Sequence, residues 1–368
     1  MFGKSSSGVR NVGLYCLCLI FIVGVISVML LNALRVISIR EFETLDIVPL
    51  VRDERRYSFQ MNEPDLCFKQ TPFLVLLVFT TPHEVEVRDA IRETWGGVHS
   101  VVWSPNGDRV NVTSVFLIGI MPPSDAEATT NQAAVMLESQ HNHDIVQYTE
   151  VDSSDTLVLK TLAGMAWAHR HCQQAKYIMK SEGDVFVNVE YLIKVLLYPG
   201  QPELTDYLTG QLVEGGRPHR DPQSKWFIPH DVYPDNIYPP FVLSSAYVLS
   251  ADLVPKILNV SHSVPYFKLD DVYLGMCLAR LGLKPSAPPR VHMFNAWFVV
   301  YSTCTYAYIV SSKGLSPDKL RYYWPIFMRE KINSNRLNII DNIFRIIKII
   351  IIIKIISVIL PHFLAMEK

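Results

Sequence analysis

The run Phe73-Leu-Val-Leu-Leu-Val-Phe79 is apolar at every position. A strand with one wet face alternates apolar and polar residues, so a strand without alternation must be covered on both faces. Residues 112–118, 144–148 and 177–179 offer further strands. Helical spacing marks residues 88–95, 132–141 and 157–170 between them. Strands alternating with helices predict an α/β sheet sandwiched by helices. In such sheets ligands bind beyond the carboxyl ends of the strands.

The 34 basic and 35 acidic side chains leave a formal charge of −1, which excludes bulk attraction to nucleic acid as the main activity. The mean hydropathy of +0.18 is raised by the two ends. Residues 12–31 form a nearly uninterrupted apolar run of about 20 residues, the length that crosses a bilayer. The run continues through Val28, Met29, Leu30 and Leu31 without a small-residue cleavage site, so an uncleaved signal anchor is expected. The expected layout is a cytosolic tail over 1–11, the anchor over 12–31, a stem over 32–70, one lumenal domain over 71–330 and a C-terminal extension over 331–368. The extension is an isoleucine ladder interrupted by Arg345, Lys348 and Lys354, too charged for a comfortable span. An interfacial helix and a poorly specified tail are both compatible with it.

Two sequons, at Asn111 and Asn259, agree with a lumenal body. Cys67, Cys172, Cys277 and Cys304 lie in that body. Four cysteines allow two disulfides in three pairings, and buried free thiols are the alternative.

The chemistry-bearing segment is Lys180-Ser181-Glu182-Gly183-Asp184, directly after the apolar residues 177–179. Two carboxylates one residue apart in extended chain point the same way, so both can face one divalent ion. Gly183 between them would admit a ligand close to the backbone. Taken alone, an acidic surface turn reads identically. No convincing Ser/His/Asp or Cys/His set for nucleophilic catalysis is present.

Further motifs follow in fixed order: Ala90-Ile91-Arg92-Glu93-Thr94-Trp95-Gly96, Leu157-Val-Leu-Lys160-Thr161, Ser224-Lys225-Trp226, Tyr238-Pro239-Pro240-Phe241, Ala246-Tyr247-Val248-Leu249-Ser250 and Asp270-Asp271-Val272-Tyr273. Together with the acidic segment they resemble the beta-1,3-galactosyltransferase family of Golgi hexosyltransferases, over residues 73–324. The resemblance implies a GT-A-like α/β fold, type II topology in the Golgi membrane, a UDP-sugar donor and a glycan acceptor on glycoprotein or glycolipid. It implies that Glu182 and Asp184 occupy the family's DxD place and hold a divalent metal, Mn2+, against the donor diphosphate. Lys180 precedes that motif, and Arg88, Arg92, Thr94 and Trp95 stand where the family's RxxIRxTW segment lies near the nucleotide. Asp271 falls at the presumed catalytic base. Trp226, Tyr238, Phe241 and Asp270 fall on the acceptor side. From the residues alone, Arg92 also reads as a surface ion pair, Trp95 as a core anchor and Asp270-Asp271 as a helix start.

Three departures from the family pattern stand out. Glu182 replaces an Asp, Lys313 stands where relatives carry a His that ligates the metal, and Val242-Leu243-Ser244-Ser245-Ala246 lacks the glycines of a family loop. The expected function is inverting transfer of a sugar, galactose first and N-acetylglucosamine or N-acetylgalactosamine as alternatives, to the 3-hydroxyl of an N-acetylhexosamine-type acceptor. The other reading is a catalytically weakened relative acting as a lumenal binding or assembly partner.

Overall fold

The computed structural model describes residues 57–330 apart from 123, 125 and 126, together with Met29. The expected anchor over 12–31 and the extension over 331–368 lie outside the described residues, Met29 excepted. Among the described residues no helix is long and apolar enough to cross a membrane.

The elements, in chain order, are β1 (Phe59–Met61), α1 (Leu66–Gln70), β2 (Leu74–Phe79), α2 (Val85–Arg92), β3 (Ser100–Val102), β4 (Arg109–Ile120), α3 (Ala128–Asn142), β5 (Ile145–Val151), α4 (Leu157–His171), β6 (Tyr177–Glu182), β7 (Val185–Val187), β8 (Leu208–Val213), β9 (Phe241–Ser250), α5 (Leu253–Val260), α6 (Asp270–Arg280), β10 (Phe294–Asn295), α7 (Thr303–Tyr306) and β11 (Ser311–Lys313). The main sheet runs β1-β5-β4-β2-β6-β9-β8, with β3 paired to β4. Its centre, β5-β4-β2-β6, is parallel. Antiparallel β1 flanks one side and antiparallel β9 and β8 the other. A second sheet of three strands runs β10-β11-β7.

The apolar run behind β2 is explained by its two faces. Leu74, Leu76 and Val78 enter one core with Ile91 of α2 and Val135 of α3. Val75, Leu77 and Phe79 enter the other with Val158, Leu162 and Met165 of α4. Each side chain so buried contributes about 1.5–3 kcal/mol, which is why no polar residue interrupts the strand.

Successive strands after β2 go to one side, β4 then β5, and the chain then returns to place β6 on the other side. The strand order therefore reverses between β2 and β6. That crevice, at the carboxyl ends of the two strands, is where an open α/β sheet receives ligands. Phe79 pairs with Glu182 there.

The folded body begins earlier than the expected boundary at residue 71. Phe59 and Met61 pair with β5, and Cys67 of α1 is disulfide-bonded to Cys172 at the end of α4. The Trp167 indole donates to Asn62 at 2.7 Å. Residues 57–70 thus belong to the body because pairing, packing and a covalent bond hold them, none of which leaves a periodic trace. Cys277 is a buried free thiol and Cys304 an exposed one, so one of the two possible disulfides forms.

A bond across a sequence separation of 105 residues removes much freedom from the unfolded chain. Cys67→Ser should lower stability by about 2–5 kcal/mol. The Cys67→Ser/Cys172→Ser double variant should cost no more than either single one in urea denaturation, because both remove the same bond.

Candidate active site

β6 delivers Lys180 and Glu182 to the crevice. Lys180 is 2% exposed, and a buried ammonium requires partners. Its Nζ donates to the Ser244 carbonyl of β9, lies 3.4 Å from Glu182 Oε1 and 4.0 Å from Asp270 Oδ2. The Ser244 hydroxyl donates to Glu182 Oε1 at 3.0 Å. The other oxygen, Oε2, is hydrogen-bonded and ion-paired to Lys313 Nζ. Burial opposes charge on Glu182, yet Lys180 and Lys313 hold its carboxyl down to about 2. Burial pushes the Asp184 carboxyl up, against the pull of Lys313.

Gly183 serves a different purpose from the one its sequence context suggests. A Cβ there would lie 2.7 Å from Val87 Cγ1 and 3.0 Å from Thr80 Cγ2. The close approach is made by α2 and the loop after β2. That loop is braced from behind: Lys160 Nζ donates to the Thr80 carbonyl at 2.7 Å and pairs with Asp152 at 2.6 Å. Arg88, fully buried, donates to the carbonyls of Thr81 at 2.6 Å and Pro82 at 3.1 Å and pairs with Glu138 at 2.7 Å.

Arg88 therefore stands behind the crevice rather than in it. Arg92 is farther still. It is tied to Asp144, Glu138 and Asp89, each at 2.8 Å, and Asp144 immediately precedes β5, at the amino edge of the parallel strands. A six-residue strand rises roughly 20 Å between the two edges. The Thr94 hydroxyl donates to the Ala90 carbonyl at 2.6 Å, and Trp95 is enclosed in the core beside Ile91. Of the seven expected donor-side residues, then, Lys180, Glu182 and Asp184 converge, Arg88, Thr94 and Trp95 are buried, and Arg92 is held half-buried in ion pairs at the amino edge of the sheet. Proximity in sequence to the loop after β2 does not carry along a helix that runs away from it.

The acceptor-side expectations come together. A cleft of about 590 Å³ is lined by Trp226, Tyr238, Phe241, Ser244, Asp270 and Asp271, among others. Ser244 is shared with Glu182, so the cleft adjoins the acidic pair. The segment 242–246, expected to be a stiffened loop, is part of β9. Extended backbone suits these residues, so the absence of glycine is no handicap. Ser244, Tyr247, Lys160 and Thr161 are site residues to which no local pattern in the sequence assigned a task.

Asp270 and Asp271 open α6. The Thr161 hydroxyl of α4 is 3.2 Å from Asp270 Oδ2, and Asp271 Oδ1 accepts from the Val272 N–H at 2.8 Å. Burial, reinforced by the neighbouring Asp270 charge, pushes the Asp271 carboxyl up to about 7. Burial likewise pushes Asp270 up, against Lys180. The buried hydroxyls of Tyr238, which lines the cleft, and Tyr247 of β9 have no hydrogen-bond partner. Gly275 lets α6 seat against the start of β9, since a Cβ there would lie 2.8 Å from the Pro240 carbonyl oxygen. An acid near neutrality lining an open cleft is equipped to take a proton from a bound alcohol.

With this geometry in view, the comparisons are decisive. The galactosyltransferase family model matches residues 86–289, a span that includes the acidic pair, the cleft and Asp271. The chain belongs to the galactosyltransferase family. It is 38% identical over 278 residues to beta-1,3-galactosyltransferase 2 of Homo sapiens, covering 76% of this chain and 64% of that relative. The identity is 39% to the Mus musculus protein of the same name, at the same coverage. It reaches 40% over 268 residues with beta-1,3-galactosyltransferase 1 of Mus musculus, covering 73% of this chain and 78% of the relative. The match thus covers less than two thirds, 64%, of the length of the galactosyltransferase 2 relatives. The mixed α/β body with its parallel centre fits a GT-A-like domain.

Membership of the family is consistent with a divalent metal cofactor. The residues present do not fit one as they stand. Among the described residues no group of three or more His, Cys, Asp or Glu side chains is placed to hold an ion. Both Glu182 oxygens are engaged, and the third position carries an ammonium, which has no lone pair while protonated.

The Asp271 titration is directly measurable. By carboxyl carbon NMR its midpoint should lie near 7 rather than in the ordinary range of about 3.9. Because the Asp270 charge raises it, Asp270→Asn should move the midpoint down, and an unmoved midpoint would leave burial as the only cause.

Proposed function

We propose that this chain is an inverting hexosyltransferase that moves galactose from UDP-galactose to the 3-hydroxyl of an N-acetylhexosamine-type acceptor on glycoprotein or glycolipid. The observation that carries the reading is Asp271 in the cleft beside Tyr238 and Trp226, with Ser244 linking that cleft to Glu182. The donor sugar follows the relatives' names; UDP-N-acetylglucosamine and UDP-N-acetylgalactosamine are the other donors to test.

Converting an α-linked sugar nucleotide into a β-linked product needs one in-line displacement. The acceptor oxygen attacks the anomeric carbon, the bond from that carbon to the diphosphate breaks, and UDP leaves with the electron pair. Asp271, deprotonated, takes the acceptor hydroxyl proton. Exposed Trp226 offers a face for an acceptor ring. Lys160 and Arg88 hold the loop after β2 in place, which fixes the donor side relative to Asp271.

A base of this kind contributes about 10²–10⁴-fold. Asp271→Asn should lose transfer to that extent while keeping UDP affinity, read by UDP release against calorimetric UDP titration. Transfer should also rise as pH climbs through about 7, because only the deprotonated carboxyl accepts a proton. The second reading, a weakened relative acting as a binding partner, draws on the Lys313–Glu182 pair. Absence of turnover across a panel of UDP-sugars would favour it.

Type II placement in the Golgi membrane, with the body lumenal, belongs to the same proposal. Asn111 and Asn259 are both exposed, so each is accessible for glycosylation. Enzymatic removal of N-glycans from membrane-expressed protein should increase its gel mobility, and Asn111→Gln with Asn259→Gln should abolish that shift. No shift, with the body open to protease in sealed vesicles, would reverse the orientation.

A further inference from the structure

We propose that Lys313 itself supplies the positive charge at the donor diphosphate, so that this chain binds its nucleotide sugar without a divalent ion. The inference rests on the donor reading above and assigns one side chain a task within it.

Lys313 is not a surface lysine that happens to lean over an acid. Its strand β11 pairs antiparallel with β7, setting Lys313 opposite Val185. The Gly314 and Leu315 N–H groups both donate to the Asp184 carbonyl at 2.9 Å. These backbone bonds fasten the Lys313 segment onto the Glu182–Asp184 turn, and Gly314 takes the positive φ of +87° that the return requires. The ammonium is thereby delivered to Glu182 Oε2, the oxygen that Lys180 and Ser244 leave free.

Lys180 and Lys313 differ in access. Lys180 is enclosed, whereas the Lys313 side chain is 34% exposed. An ammonium has three donors; with one on Glu182, Lys313 keeps others for phosphate oxygens. Lysine is a point-charge binder of phosphate. Lys313 pairs with Glu182, and Lys180 is shared between Glu182 and Asp270. A diphosphate therefore meets an accessible cation over acids that are already partly offset. A divalent ion would have to displace Lys313 from the carboxylate oxygen it occupies, so ion and lysine compete for one place.

The test uses the full-length chain in detergent, with UDP as the probe in calorimetric titration. Native protein should bind UDP equally, within about threefold, in EDTA and in saturating MnCl2, since the cation is built in. Lys313→Met should lose at least about tenfold in UDP affinity in EDTA, the usual scale for removing a charged hydrogen bond. Lys313→His, which offers a neutral ring nitrogen, should make UDP binding rise at least about tenfold on adding MnCl2. UDP binding by native protein only with manganese would overturn the inference and leave the donor reading standing. Undiminished affinity of Lys313→Met in EDTA would overturn it equally. No UDP binding under either condition would overturn the donor reading and the inference with it. The native comparison needs no variant, so a misfolded substitution cannot obscure the result.

Discussion

The Lys180 ammonium, buried at the end of β6, is the interaction around which the rest of the site is arranged. A charge removed from water is tolerable only when paired and hydrogen-bonded. Its partners come from three elements: Glu182 of β6, the Ser244 carbonyl of β9 and Asp270 of α6. Satisfying one cation therefore fixes an antiparallel strand and a helix start against the parallel centre. Asp271 is positioned as a consequence, since it follows Asp270 on the same helical turn.

A second buried lysine does comparable work on the neighbouring strand. Lys160 joins the loop after β2 to Asp152 after β5, and Arg88 reaches the same loop from α2. The loop beside Gly183 is thus held by two cations from behind. Burial and the neighbouring charges on the crevice floor set which acid is held ionised and which is poised near neutrality. Glu182, between two ammoniums, is held ionised, and Asp271, beside another acid in a cleft, is pushed up to about 7.

Legibility in the sequence differed from residue to residue. Glu182, Asp184 and Asp271 were legible as candidates only through the family likeness, because from the residues alone an acidic turn and a helix start read identically. Trp226, Tyr238 and Phe241 were readable as a group through the family likeness, and the cleft unites them. Arg92 was not, because the motif containing it begins near the crevice and ends at the other edge of the sheet. Residues 57–70 looked like a stem, since neither a three-residue edge strand nor a disulfide partner 105 positions away has a local signature.

By itself, the amino-acid pattern determined that residues 73–79 form a strand covered on both faces, and that carboxylates follow the strand at 177–179. Those are short-range properties: an unalternated apolar run, and adjacency along the chain. Only the tertiary structure decided that Cys67 pairs with Cys172, that Gly183 accommodates α2, and that the cation meeting Glu182 is Lys313, 131 residues distant. Such contacts depend on the order of strands in the sheet and the register between β7 and β11. A shift of one residue there would turn Lys313 to the opposite face, and no local pattern in either segment specifies which residue it faces.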